Sequence, residues 1–134
     1  MKTILISCML LISGIDNHTK PIRTTLMDYI QWTTSGQTHT SSKIFSDSID
    51  FAYQVAPEKI ITGSFPDYRS KIESGAETIS RTINIKTIHV TDMTAQAILT
   101  DCSAEHHFSL IHHLSLVSDG DSWSIESIRI TTAD

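Results

Sequence analysis

The chain has 134 residues, enough for one hydrophobic core and too few for two ordinary domains. Hydrophobic residues make up 40% and charged residues 19%, globular values that exclude disorder over most of the length. A formal net charge of −5 with only 10 Lys and Arg excludes broad electrostatic attraction to nucleic acid or anionic lipid.

Residues 1–14 stand apart: Lys2 is followed by the uncharged run Ile4-Leu5-Ile6-Ser7-Cys8-Met9-Leu10-Leu11-Ile12. That run has signal-peptide length and is too short for a stable membrane span. Cleavage after Gly14 would leave a small residue beside the cut, and the expectation is an exported chain. Two alternatives stay open: a helix packed on the domain, and a lipoprotein acylation box at Leu5-Ile6-Ser7-Cys8, which lies unusually near Met1. The cysteines are Cys8 and Cys102, so a mature chain keeps one thiol and no internal disulfide.

Pro21 suits a first helical turn, and Ile22, Leu26, Tyr29, Ile30 and Thr33 follow at helical spacing until Gly36 supplies a stop. Residues 20–35 are therefore expected to form the first helix. Thr40 or Ser41 can cap a short second helix ending at Ile44-Phe45. Ile49, Phe51, Tyr53 and Val55 then alternate with polar residues as a half-buried strand. Ala56-Pro57-Glu58 turns the chain into an extended run over residues 59–62, closed by Gly63. Ser64 caps a third helix carrying Phe65, Tyr68 and Ile72 before Gly75. Four strands follow, over residues 82–90, 94–102, 108–117 and 123–130, the last two joined by a turn at Ser118-Asp119-Gly120-Asp121. Early helices and late strands predict one α+β domain, with the sheet packing one face on the helices.

In order and spacing, Leu26-Met27-Asp28-Tyr29-Ile30 through Ser35-Gly36, Ile44-Phe45-Ser46-Asp47, Leu114-Ser115-Leu116 with Asp119-Gly120, and Trp123-Ser124-Ile125 resemble the nuclear transport factor 2-like superfamily. That superfamily includes ketosteroid isomerases and SnoaL-like cyclases. Ala95-Gln96-Ala97 and the closing Trp-x-Ile pattern are most similar to its lumazine-binding-like branch. The resemblance spans residues 20–131 and implies an α+β cone, or cystatin-like roll, in which a curved mixed or antiparallel sheet wraps around the N-terminal helix group, with an apolar cavity open at one end and a homodimer formed through the outer sheet face.

Carried over residue by residue, the resemblance puts Tyr29, seven residues before Gly36, where isomerases keep an oxyanion-binding tyrosine. His112 stands where their carboxylic acid partner stands, and Tyr53 replaces their general-base aspartate. Loss of that carboxylate argues against the isomerase reaction, because a phenol near pKa 10 is no base at neutral pH. Strand parity places Tyr53 with Phe51, and His112 with His106, Leu110 and Leu114, on inward faces. The expected site is an apolar cavity lined by Tyr29, Phe51, Tyr53, Leu110, His112 and either Trp32 or Trp123, taking a small apolar or heteroaromatic molecule without a cofactor. The blander reading makes each of these tyrosines and His112 a satisfied core residue.

His106-His107 and His112-His113 invite a metal, but alternation sends each pair to opposite faces, so no metal site is assigned. Asp47 and Asp50 near the strand entrance are read as solvated. Two further readings remain: a cyclase, isomerase or dehydratase in which His112 moves a proton and Tyr29 stabilises an oxyanion, and a dimeric protein-interaction module.

Overall fold

The computed structural model describes residues 2–36, 44–56, 59–61, 64–74, 81–103 and 108–133, with side chains at residues 19–36, 44–54, 64–74, 81–103 and 109–133. The first helix, α1 (Lys2–Ser35), begins well before the expected start and runs through Pro21. Pro21 is exposed within this helix and supplies no N–H to it. Along α1 the buried positions Thr19, Ile22, Thr25, Leu26, Tyr29, Trp32 and Thr33 form one stripe at spacings of three and four. Ile30, placed on that stripe by periodicity, is only half-buried. Gly36 ends the helix as expected: at φ +73° its N–H donates to the Trp32 carbonyl at 2.8 Å.

The strands β1 (Phe45–Ala56) and β2 (Lys59–Ile61) come next, β1 starting four residues earlier than its alternation suggested. Helix α2 (Phe65–Glu73) then begins at Ser64, whose hydroxyl accepts the Asp67 N–H at 3.2 Å. Asp67 in its first turn and Lys71 in its last match the helix dipole. The meander β3 (Thr82–Thr91), β4 (Thr94–Ser103), β5 (Phe108–Ser118) and β6 (Trp123–Thr132) completes the chain. The expected caps at Thr40 or Ser41, the Pro57-Glu58 turn, the stops at Gly63 and Gly75, and His106 and His107 lie outside the described residues, as do the side chains of residues 1–18.

The six strands form one sheet in the order β2-β1-β6-β5-β4-β3. It is mixed because β1 pairs parallel to β6, while every other pairing is antiparallel. One face of β4 buries Ala95, Ala97, Leu99, Asp101 and Ser103, and the matching face of β5 buries His112, Leu114 and Leu116. On β6 the buried set passes from Ile125 to Ile128 and Ile130, a change of parity made possible by the register shift opposite Ser115/Leu116. These side chains join Ile22, Leu26, Tyr29 and Trp32 of α1 in one core cluster, so the α+β cone expected from the sequence is the fold observed.

Candidate functional site

Each polar side chain of the site arrives from a different element. Tyr29 lies in the buried stripe of α1 and His112 on the inward face of β5. Cross-strand register sets Leu99 opposite His112 and Asp101 opposite Leu110, so Asp101 and His112 are diagonal neighbours on one face. Arg81 immediately precedes β3, two residues before Ile83, which pairs with Asp101.

These four side chains form a continuous chain of contacts. Tyr29 Oη is 2.8 Å from His112 Nδ1, and His112 Nε2 is 2.8 Å from Asp101 Oδ2. Arg81 Nη1 reaches the same carboxylate oxygen at 3.3 Å, while Arg81 Nη2 donates to the Thr33 carbonyl at 2.6 Å and hydroxyl at 2.7 Å. All of it is inside: Tyr29 is 0% exposed, Asp101 0% and His112 1%. Asp101 Oδ1 and Arg81 Nε are buried with no partner among the described residues.

An ionised Asp101 with a neutral His112 sets one order of protons along this chain. An ionised carboxylate only accepts, so His112 carries its proton on Nε2 toward Asp101. In the neutral imidazole Nδ1 then only accepts, and Tyr29 must donate its single proton to it. A neutral His112 also leaves the Arg81–Asp101 pair at zero net charge, the arrangement a dry interior favours. Burial pushes the Tyr29 phenol well above its ordinary value. With His112 neutral and its proton on Nε2, Tyr29 presents lone pairs, not a proton, to anything on its other side.

On that other side lies α2. Tyr68 Oη is 3.5 Å from Tyr29 Oη, and Glu73 Oε2 accepts both the Trp32 indole N–H at 2.9 Å and Arg69 Nε at 3.0 Å. Aromatic rings fill the space between: Phe45 with Phe65 at 4.7 Å, Trp32 with Phe45 at 4.8 Å and Phe51 with Tyr68 at 4.5 Å. Tyr29 and Trp32 are both 0% exposed beneath these rings.

Of the expected lining residues, Tyr29, Trp32 and His112 converge in the buried centre, while Phe51, Tyr53 and Leu110 are half-buried and pack against the core. Trp123 is half-buried, and its carbonyl lies 3.5 Å from the Thr25 hydroxyl. Both His112 nitrogens are engaged by protein groups, so His112 can act on a ligand only through Tyr29. Asp47 and Asp50 are exposed. His113 is half-buried on the outer face, where burial, with Arg129 beside it, lowers its proton affinity. Among the described residues, no three His, Cys, Asp or Glu side chains gather as metal ligands would.

Sequence reasoning missed Asp101, Arg81, Tyr68 and Glu73. For Asp101 the signal was present, since it continues the inward series of Ala95, Ala97 and Leu99. Tyr68 was visible as part of the apolar stripe of α2, though not as a neighbour of Tyr29. Nothing local marks Arg81.

Several solved structures share the fold. A protein of Silicibacter pomeroyi described as NTF2-like and of unknown function superposes with a TM-score of 0.74 at 15% identity, over 89% of this chain and 98% of that one. NTF2-like proteins of unknown function from Shewanella baltica and Methylobacillus flagellatus give TM-scores of 0.74 and 0.73 at 14% and 15% identity. Each covers 88% of this chain, and 95% and 94% of its own. At such identities the likeness concerns the fold alone. No curated protein matches the sequence. A family model described as "Putative lumazine-binding" matches residues 17–127, most of the chain, and the chain belongs to that family.

Proposed function

We propose that this domain binds a small apolar or heteroaromatic molecule at the Tyr29 end of the cone and lacks the isomerase reaction. The observation that carries the reading is the buried series Arg81–Asp101–His112–Tyr29, which holds one hydroxyl in fixed orientation beneath a cluster of aromatic rings. Such a set, apolar walls with one oriented polar tip, is how small-molecule sites recognise a ring. The family description points the same way. An oxyanion role for Tyr29 is disfavoured because its proton is committed to His112.

Titrating the protein with pteridine- and flavin-type rings, followed by Trp fluorescence, tests the reading. Saturable binding is expected, weakened about 5- to 10-fold by Tyr29→Phe, the worth of one hydrogen bond. Absence of saturable binding across such a panel would sink it. An enzyme of the cyclase, isomerase or dehydratase kind is the second reading, favoured only by the direct Tyr29–His112 contact.

Two further expectations accompany this proposal. Residues 1–14 direct export, which fractionation of the native host would check. The outer sheet face forms a homodimer, supported by the cross-strand row Ile98–His113–Arg129 and by Ile111 and Val117 near it. Among the described residues, no helix is long and apolar enough to cross a membrane.

A further inference from the structure

The Tyr68 side chain has the contacts that a bound ring would have. Its ring stacks on Phe51, with centroids 4.5 Å and planes 23° apart. Trp32 meets it edge-on at 5.7 Å and 70°, and its hydroxyl lies 3.5 Å from Tyr29 Oη. An aromatic face against one side and a buried oriented hydroxyl at the tip make up the recognition set of a planar ring with a polar substituent.

We infer that Tyr68 is a resident occupant of the ring-binding position, displaced by a planar aromatic ligand that carries an O–H or N–H donor. The inference rests on the ligand-binding reading above and narrows its ligand class. The donor requirement rests on a neutral His112 that carries its proton on Nε2. In that state Asp101 accepts from Nε2 at 2.8 Å, Nδ1 accepts the only Tyr29 proton at 2.8 Å, and the Tyr29 oxygen is left with lone pairs. A ligand carbonyl or oxyanion would set lone pair against lone pair, whereas a phenol, enol or ring N–H continues the chain as Tyr68 does.

The helix carrying Tyr68 can release it without leaving the domain. Of the nine residues of α2 only Ile72 is buried, and Tyr68 is half-buried. Ile72 and the Trp32–Glu73 hydrogen bond lie one turn beyond Tyr68 and keep the helix docked while the ring swings outward.

The test uses the full chain and three probes: p-cresol, which is the tyrosine side chain itself; 4-methylanisole, the same ring without a donor; and lumazine, which carries ring N–H groups. Wild type, Tyr68→Ala and Tyr68→Leu are titrated by calorimetry after a thermal melt establishes that each folds. The leucine variant keeps apolar bulk beside Trp32, so the test stands even if the alanine variant does not fold. Removing the resident ring should tighten p-cresol and lumazine binding about tenfold, one aromatic contact's worth, with the two probes competing and 4-methylanisole binding about tenfold weaker than p-cresol. Equal lumazine affinity in wild type and variants, or equal affinity for p-cresol and its ether, would overturn the inference while leaving the ligand-binding reading intact. No binding of any ring to any of the three proteins would overturn both.

Discussion

Replacing Asp101 by Asn removes one charge from the buried series while keeping an oxygen that can accept the His112 Nε2 proton. The Arg81 side chain is only 7% exposed and Asp101 0%, so the guanidinium would lose its counterion in a place water does not reach. Breaking a buried pair by removing one partner costs roughly 3–5 kcal/mol. Because Asn preserves the His112 contact, the low end applies, about 3 kcal/mol. For a domain of this size that corresponds to a fall in melting temperature of about 12 °C. Arg81→Met should cost a similar amount, since it strands the carboxylate and also removes both bonds to Thr33. The double variant carries neither charge and should lose about 3 kcal/mol in place of the ~6 expected from addition, a coupling of about 3 kcal/mol. Urea denaturation of the four proteins measures it. A coupling below about 1 kcal/mol would mean that the two groups do not act as a desolvated pair, and would refute the reasoning.

Tyr29 should resist alkaline titration. Its folded value lies above the ordinary one, so the unfolded chain releases the proton first and stability falls as pH rises above about 10. Absorbance titration should show a phenol that ionises only on unfolding, and Tyr29→Phe should abolish that component. His113 behaves in the opposite sense: its folded value is lowered, so below about pH 6.5 the unfolded chain takes up a proton that the folded one resists, and stability is lost as pH falls. His113→Gln should flatten that part of the stability profile. Gly36→Ala should destabilise by about 1–2 kcal/mol, because a side chain at φ +73° is strained and its Cβ would lie 2.7 Å from the Ile72 carbonyl oxygen. A thermal melt unchanged by that substitution would show that α1 and α2 are not so closely apposed.

Much of this architecture could be read from residue order. Alternation placed Ala95, Ala97 and Leu99 on β4, and His112, Leu114 and Leu116 on β5, facing inward, because strand side chains have a period of two. Ser64 and Gly36 marked helix ends because a hydroxyl cap and a left-handed glycine are local devices. The beginning of α1 was misread, since Pro21 looks the same at a first turn as within a longer helix. At the site, Tyr29 and His112 were found through resemblance and parity. Their direct bond was not, because a contact between residues 83 positions apart depends on how α1 lies across the sheet. Asp101 shows the gap most clearly: parity pointed it inward, but a lone polar residue does not announce which partners will neutralise it. Arg81 and Glu73 act at element ends, where periodicity is silent.

The claim on which the account turns is the direction of the hydrogen bond between Tyr29 and His112. Long-range 1H–15N correlation spectra of the His112 imidazole at neutral pH measure it directly. A proton on Nε2 and a bare, accepting Nδ1 are predicted, with that tautomer kept in Asp101→Asn, whose amide oxygen still accepts, and lost in Asp101→Leu. A protonated Nδ1 would contradict it, because Tyr29 would then have its own proton to offer, and its role would become that of an oxyanion donor.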